Sequence, residues 1–124
     1  IGDESFKLRP ENVKNVQIAG EKCASEFKLD PAILPRIADG TLPQDEISNK
    51  YVFCIANSVK LLDAEGGYIV EKVASYLGDH PLVEKFKEEM AKCNEDSKGP
   101  VSPVERFAEI YRCYFANSPV LFAL

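Results

Sequence analysis

Apolar side chains recur every three to four residues along almost the whole chain, and no stretch alternates convincingly as a strand would. That period points to an all-α fold. From Glu11 to Lys28, Val13, Val16, Gly20, Cys23, Ala24 and Phe27 share one narrow stripe, with Lys14, Glu21, Lys22, Ser25 and Glu26 off it. Asp30-Pro31 supplies an N-cap and a first helical residue for a short helix carrying Ile33, Leu34 and Ile37. Asp39-Gly40 stops it. Pro43 to about Leu62 predicts a third helix. Tyr51, Val52, Phe53, Cys54, Ile55, Ala56 and Val59 cover most of its circumference, so it belongs at the centre. Gly66-Gly67 breaks the chain. Tyr68 to Leu77 predicts a fourth helix, with Ile69, Val73, Tyr76 and Leu77 on one side and Gly78 at its end. His80-Pro81 opens a fifth, whose inner face carries Leu82, Val83, Phe86, Met90 and Cys93. Ser102-Pro103-Val104-Glu105 has the spacing of a capping box. It opens a sixth helix with Val104, Phe107, Ala108, Tyr111, Tyr114 and Phe115 inward and Glu105, Glu109 and Arg112 outward. Pro119 prevents easy continuation. Short loops and the absence of a repeat predict one domain over residues 1–124.

Charge and length exclude several function classes. The 124 residues carry 15 basic against 20 acidic side chains, net −5. Nucleic acid needs basic patches, and none is present. No apolar run approaches the roughly 20 residues of a membrane span, so no stable membrane insertion is expected. The chain begins at Ile1 and not at Met, as a processed mature product or a trimmed chain does. Catalytic chemistry finds little support. His80 is the one histidine, and its place before Pro81 suits a cap or a solvent position. Asp63 to Gly67 lacks the spaced ligands and closing Glu of a calcium loop and reads as a turn. No phosphate-cradling glycine loop exists. Neither catalysis, nor a cofactor, nor a metal is implied.

The four cysteines are Cys23, Cys54, Cys93 and Cys113. They form no CxxC pair. An even, widely spaced set fits two disulfides and an oxidising compartment. Four reduced core cysteines are the competing reading. Three connectivities are open, and spacing does not choose between them.

The cysteines fall in the first, third, fifth and sixth helices. With the stretch ADGTLPQDEISNKYVFCIANSVKLLDAEGGYI, this order resembles the insect odorant-binding proteins, the pheromone/general odorant-binding family, from about Glu11 to the C-terminus. Members of that family usually carry six cysteines in three bridges. Their second cysteine lies four residues before the third, and their fifth lies nine before the sixth. Here those positions hold Lys50 and Val104. The two missing cysteines are partners in the family, so a whole bridge is absent, as in its four-cysteine "minus-C" subgroup. The resemblance then implies the pairs Cys23–Cys54 and Cys93–Cys113. It also implies a compact bundle of about six helices enclosing an apolar cavity, secreted into extracellular fluid such as sensillar lymph or haemolymph.

The implied function is to carry a small apolar ligand, an odorant, pheromone or similar lipophile. The residues suit it. Val16, Ile37, Tyr51, Ile55, Val73, Phe86, Met90, Phe107, Tyr111 and Tyr114 turn inward at helical spacing and are the expected ligand-binding residues. Tyr111 and Tyr114 add hydroxyls that either meet a ligand oxygen or simply reach a backbone carbonyl. Val120 and Phe122 belong to the apolar end SPVLFAL. In the family, a tail at this position folds back as wall or lid. Two alternatives stand beside this reading. One is a haemolymph or gland carrier of fatty acids or hormones. The other is a cavity-less interaction protein that docks through its apolar tail. A receptor contact or a weak dimer is left open.

Overall fold

Six α-helices are present among the described residues of the computed structural model: α1 (Pro10–Phe27), α2 (Leu34–Ala38), α3 (Glu46–Ser58), α4 (Val70–Tyr76), α5 (Val83–Asp96) and α6 (Pro103–Asn117). The structure describes residues 5–7, 10–38, 40–76, 81, 83–97, 102–117 and 121–123. For 5–7, 31, 38, 76, 117 and 121–123 it describes the backbone alone. His80 and Val120 lie outside the described residues. Two three-residue strands accompany the helices. Strand β1 (Ser5–Lys7) pairs in parallel with β2 (Leu121–Ala123), placing Phe6 opposite Phe122. Three residues are too few to show alternation, and this pairing joins the two ends of the chain. It also sets the apolar tail beside α2.

Local chemistry explains where the helices begin. The Asp30 carboxylate accepts the Ala32 N–H at 2.9 Å, opening a 3-10 turn, Pro31–Ile33, that runs into α2. Helix α3 starts at Glu46, later than Pro43, because Asp45 is its cap and accepts the Ser48 N–H at 2.7 Å. Hydrogen bonds from Ser48 hold the Asp45 carboxyl below the usual carboxylate range, and the Arg112 charge adds a smaller pull. In the capping box, the Glu105 N–H donates to Ser102 Oγ at 3.3 Å, and that hydroxyl donates to Glu105 Oε1 at 3.4 Å.

Three helices end alike. The Leu29 N–H reaches Ala24 O at 2.8 Å, Thr41 reaches Arg36 O at 3.0 Å, and Leu61 reaches Ala56 O at 3.0 Å. Each closure turns on a residue of positive φ: Lys28 at 57°, Gly40 at 77° and Lys60 at 61°. This is the Schellman closure, which favours glycine. At Gly40 the preference is double, because a Cβ there would also come within 2.7 Å of the Phe115 ring. At the lysines the left-handed conformation costs about 1–2 kcal/mol.

The disulfides pair as the family resemblance implies. Cys23–Cys54 joins α1 to α3 with Cα atoms 6.0 Å apart, and Cys93–Cys113 joins α5 to α6 at 5.8 Å. No bridge joins α3 to α6. That seam is held by an edge contact between Phe53 and Phe107, ring centroids 6.3 Å apart, and by Arg112. The Arg112 guanidinium donates to Leu42 O at 2.8 Å, Pro43 O at 2.7 Å and Asn49 Oδ1 at 3.4 Å. It also lies 5.2 Å from the centre of the Tyr111 ring. The helical wheel puts Arg112 outside. The structure makes it a partly buried clamp, because its fork reaches carbonyls that the chain turn before α3 leaves without helix partners.

Two stability outcomes follow. Lys60→Gly is expected to raise stability by about 0.5–1 kcal/mol, the conformational strain less the extra unfolded-chain entropy. A urea melt with an unchanged or lower midpoint would contradict this. Arg112→Met is expected to cost about 2 kcal/mol by leaving two carbonyls without a charged donor. A loss below about 0.5 kcal/mol in the same assay would show that the clamp is idle.

Candidate functional site

Helix α6 carries two adjacent stripes, Phe107 with Tyr111 and Ile110 with Tyr114. They face different places. The first stripe joins a buried cluster with Ala19, Cys23 and Ala24 of α1, Tyr51, Val52, Ile55 and Ala56 of α3, Leu42 and Leu62. The second joins Val73 of α4 and Phe86, Met90 and Cys93 of α5. A domain ordinarily has one contiguous core. Here the described interior is in two pieces. Among the described residues, two side chains lie against both pieces, Tyr68 and Phe115, and each is only partly covered.

The expected site residues distribute over this divided interior. Tyr51, Ile55, Phe107 and Tyr111 sit in the first cluster, and Val16 and Ile37 pack against it. Val73, Phe86, Met90 and Tyr114 sit in the second. Phe122 lies in β2, where only the backbone is described. Tyr51 and Phe107 have no exposed surface at all, so a guest reaches them only if their neighbours move.

The hydroxyls divide as well. Tyr111 donates to Ile37 O at 2.7 Å, and Tyr51 reaches Gly20 O at 3.5 Å. Both phenols therefore serve the backbone. Tyr68 differs. Its ring stands edge-on to Phe107 with centroids 5.0 Å apart. Among the described residues, nothing accepts or donates at its hydroxyl. Burial pushes this phenol far above its ordinary value, with Tyr111 and Tyr114 adding to the effect, so it stays neutral across physiological pH. Burial also raises the Tyr51 phenol.

Tyr68 escapes the sequence pattern because it looks like the start of the fourth helix, whereas α4 begins at Val70. Tyr68 instead forms an isolated antiparallel bridge with Leu62. The available signal was Gly66-Gly67, where Gly66 has φ of 88° and turns the chain before Tyr68. Asp63 completes that turn by accepting the N–H groups of Glu65 and Gly67 at 2.8 and 3.0 Å. The faint calcium-loop likeness is thus an Asx turn. Phe115 is on the expected inner face of α6, yet nothing in the sequence marks it as lying between two clusters. It stacks edge-on with Tyr111 and Tyr114, each 5.1 Å away.

An open groove of about 380 Å³ lies elsewhere, lined by Asn15, Ile18, Ala19, Lys22, Ser58, Val59 and Lys60. None of the expected site residues lines it, and half its wall is polar or charged. Among the described residues, no cluster of His, Cys, Asp and Glu has the grouping to hold a metal ion, and no helix is long and apolar enough to cross a membrane.

Comparison with known proteins bears on both fold and site. The model of the PBP/GOBP family matches residues 5–117. Odorant Binding Protein 7 from Anopheles gambiae, solved with four disulfide bridges and in complex with an azo compound, has a similar structure. The TM-score is 0.60 at 19% sequence identity, covering 89% of this chain and 88% of that one. At that identity the likeness establishes the fold. No curated protein sequence gives a significant match.

Proposed function

The chain belongs to the PBP/GOBP family, and on that premise we propose that it is an extracellular carrier that holds a small hydrophobic molecule between its two buried clusters. The divided interior carries this reading. A helical bundle that packs its core in two pieces leaves its bridging side chains, Tyr68 and Phe115, with surface to offer a guest. The expected residues of α3, α4, α5 and α6 back those walls. The two disulfides suit an oxidising extracellular fluid. The mosquito protein's complex with an azo compound is a precedent for a small organic guest in this fold. Burying each guest methylene contributes about 0.8 kcal/mol. A guest of about ten carbons then reaches micromolar affinity after the costs of association.

A fluorescent aminonaphthalene dye tests the reading. It is expected to bind and to be displaced by C10–C16 alcohols or esters, but not by charged analogues. Failure to bind any apolar probe would sink the carrier and favour an interaction protein. Carriage of fatty acids or hormones in haemolymph or gland fluid uses the same chemistry, and tissue of expression separates it from olfaction.

The tail has a place in this proposal. The tail pairs with β1 and lies beside α2, and in this reading it serves as wall or lid of the guest site. Removing residues 119–124 is expected to speed guest release in stopped-flow displacement while leaving far-UV helicity nearly unchanged. Unaltered binding would reassign the tail to a partner or dimer contact.

A further inference from the structure

The open groove of about 380 Å³ lies where α1 meets the end of α3. Ile18, Ala19 and Lys22 share one face of α1, because residues three and four apart are neighbours on a helix. Ser58, Val59 and Lys60 supply the wall from α3. Ala19 belongs to the first buried cluster and Val59 packs against it, so the apolar part of the lining is anchored in the core. Ile18 keeps 55% of its surface exposed. The two walls are held in register. The Cys23–Cys54 disulfide ties α1 to α3, and Ser58 Oγ lies 3.8 Å from Cys23 Sγ. A groove held this way is formed before an occupant arrives, which lowers the cost of binding.

The charge on these walls is one-sided. Lys22 and Lys60 line the groove, and no acidic side chain does, although the chain carries net −5. Among the described residues, neither of these lysines takes part in an ion pair, whereas Lys50 and Lys87 do. The backbone of Lys60 adds a second observation. It sits at φ of 61°. Its N–H donates to Asn57 O and the following N–H, of Leu61, to Ala56 O, both at 3.0 Å. Those bonds fix the direction in which the side chain leaves the helix end. Glycine suits this closure best, and lysine holds the position against that preference. Strain kept at an exposed position points to a use for the side chain. Lys28 has the same conformation at φ of 57° but does not line the groove, which makes it the natural control.

The lining selects its occupant. Ammonium groups call for an anion, and Ile18, Ala19 and Val59 call for hydrocarbon beside it. The volume is at the small end of the range for small-molecule sites. We propose that this groove is a binding site separate from the buried clusters, taking a medium-chain aliphatic carboxylate whose head meets Lys22 and Lys60 and whose chain lies along Ile18, Ala19 and Val59. It accepts the class of molecule that the interior refuses. Neither buried cluster contains a lysine or arginine, so a carboxylate there would have no counter-charge. The proposal stands independently of the carrier reading.

Octanoate is the probe, followed by 1H–15N spectra of the 15N-labelled full chain at neutral pH. The backbone amides of Ile18, Ala19, Lys22, Val59 and Lys60 are expected to shift together, with an affinity that falls as salt rises. Octan-1-ol has the chain without the charge, and acetate the charge without the chain. Both are expected to leave these amides in place. Lys60→Gly is the decisive variant, because it relieves the backbone and so keeps the fold. It is expected to weaken octanoate about two- to fivefold, the worth of one exposed ion pair, and Lys22→Gln to do the same. Lys28→Gly makes the same backbone change outside the groove and is expected to leave the affinity unchanged. Octanoate shifts absent from the groove, equal shifts with octan-1-ol, or an unaltered affinity in Lys60→Gly would overturn the proposal. An equal loss in Lys28→Gly would overturn it too, by showing that only the overall charge matters. Dye displacement reads the interior, so the two proposals stand or fail apart.

Discussion

Everything in this fold depends on how α6 is held. It faces both buried clusters at once, through Phe107 and Tyr111 on one stripe and Ile110 and Tyr114 on the next. A helix in that position must be fixed from two sides, or one cluster would close on the other. Cys93–Cys113 fixes it to α5. Arg112 fixes it to the chain entering α3, and Tyr111 reaches across to Ile37. The Ser102–Glu105 box sets where the helix starts.

The covalent restraint is light for the architecture. The similar mosquito protein has four bridges, and this chain has two. By loop entropy, loops of this length stabilise by roughly 3–4 kcal/mol each at the upper end. What a further bridge would do between α3 and α6 is done here by a charge-assisted fork and an aromatic edge contact. Such contacts are softer than a sulfur–sulfur bond. Local opening is therefore expected to concentrate at helix α6.

Features set by nearby residues were legible in the sequence. Asp30-Pro31, Gly40 and the Ser102–Glu105 box act within one turn of the chain, and each does what its chemistry predicts. Features set by distant partners were not. Arg112 looks exterior on a helical wheel because its carbonyl partner Leu42 lies 70 residues earlier. Tyr68 looks helical because Asn94, which holds its backbone extended, lies 26 residues later. The β1–β2 pair joins segments at opposite ends of the chain. The candidate site shows the same division. Helical period turned ten side chains inward, and the structure has all ten in or against the buried clusters. Which side chains keep surface for a guest is a property of three-dimensional packing, and the pattern carries no sign of it.

The central claim is that a guest sits between the two clusters and not on the outer surface. Nuclear Overhauser contacts from a 13C-labelled C11 ketone test it most directly. The account predicts contacts from the guest to the ring protons of Tyr68 and Phe115. Contacts confined to the exposed side chains Ile18 and Ile47, with none to either ring, would contradict it.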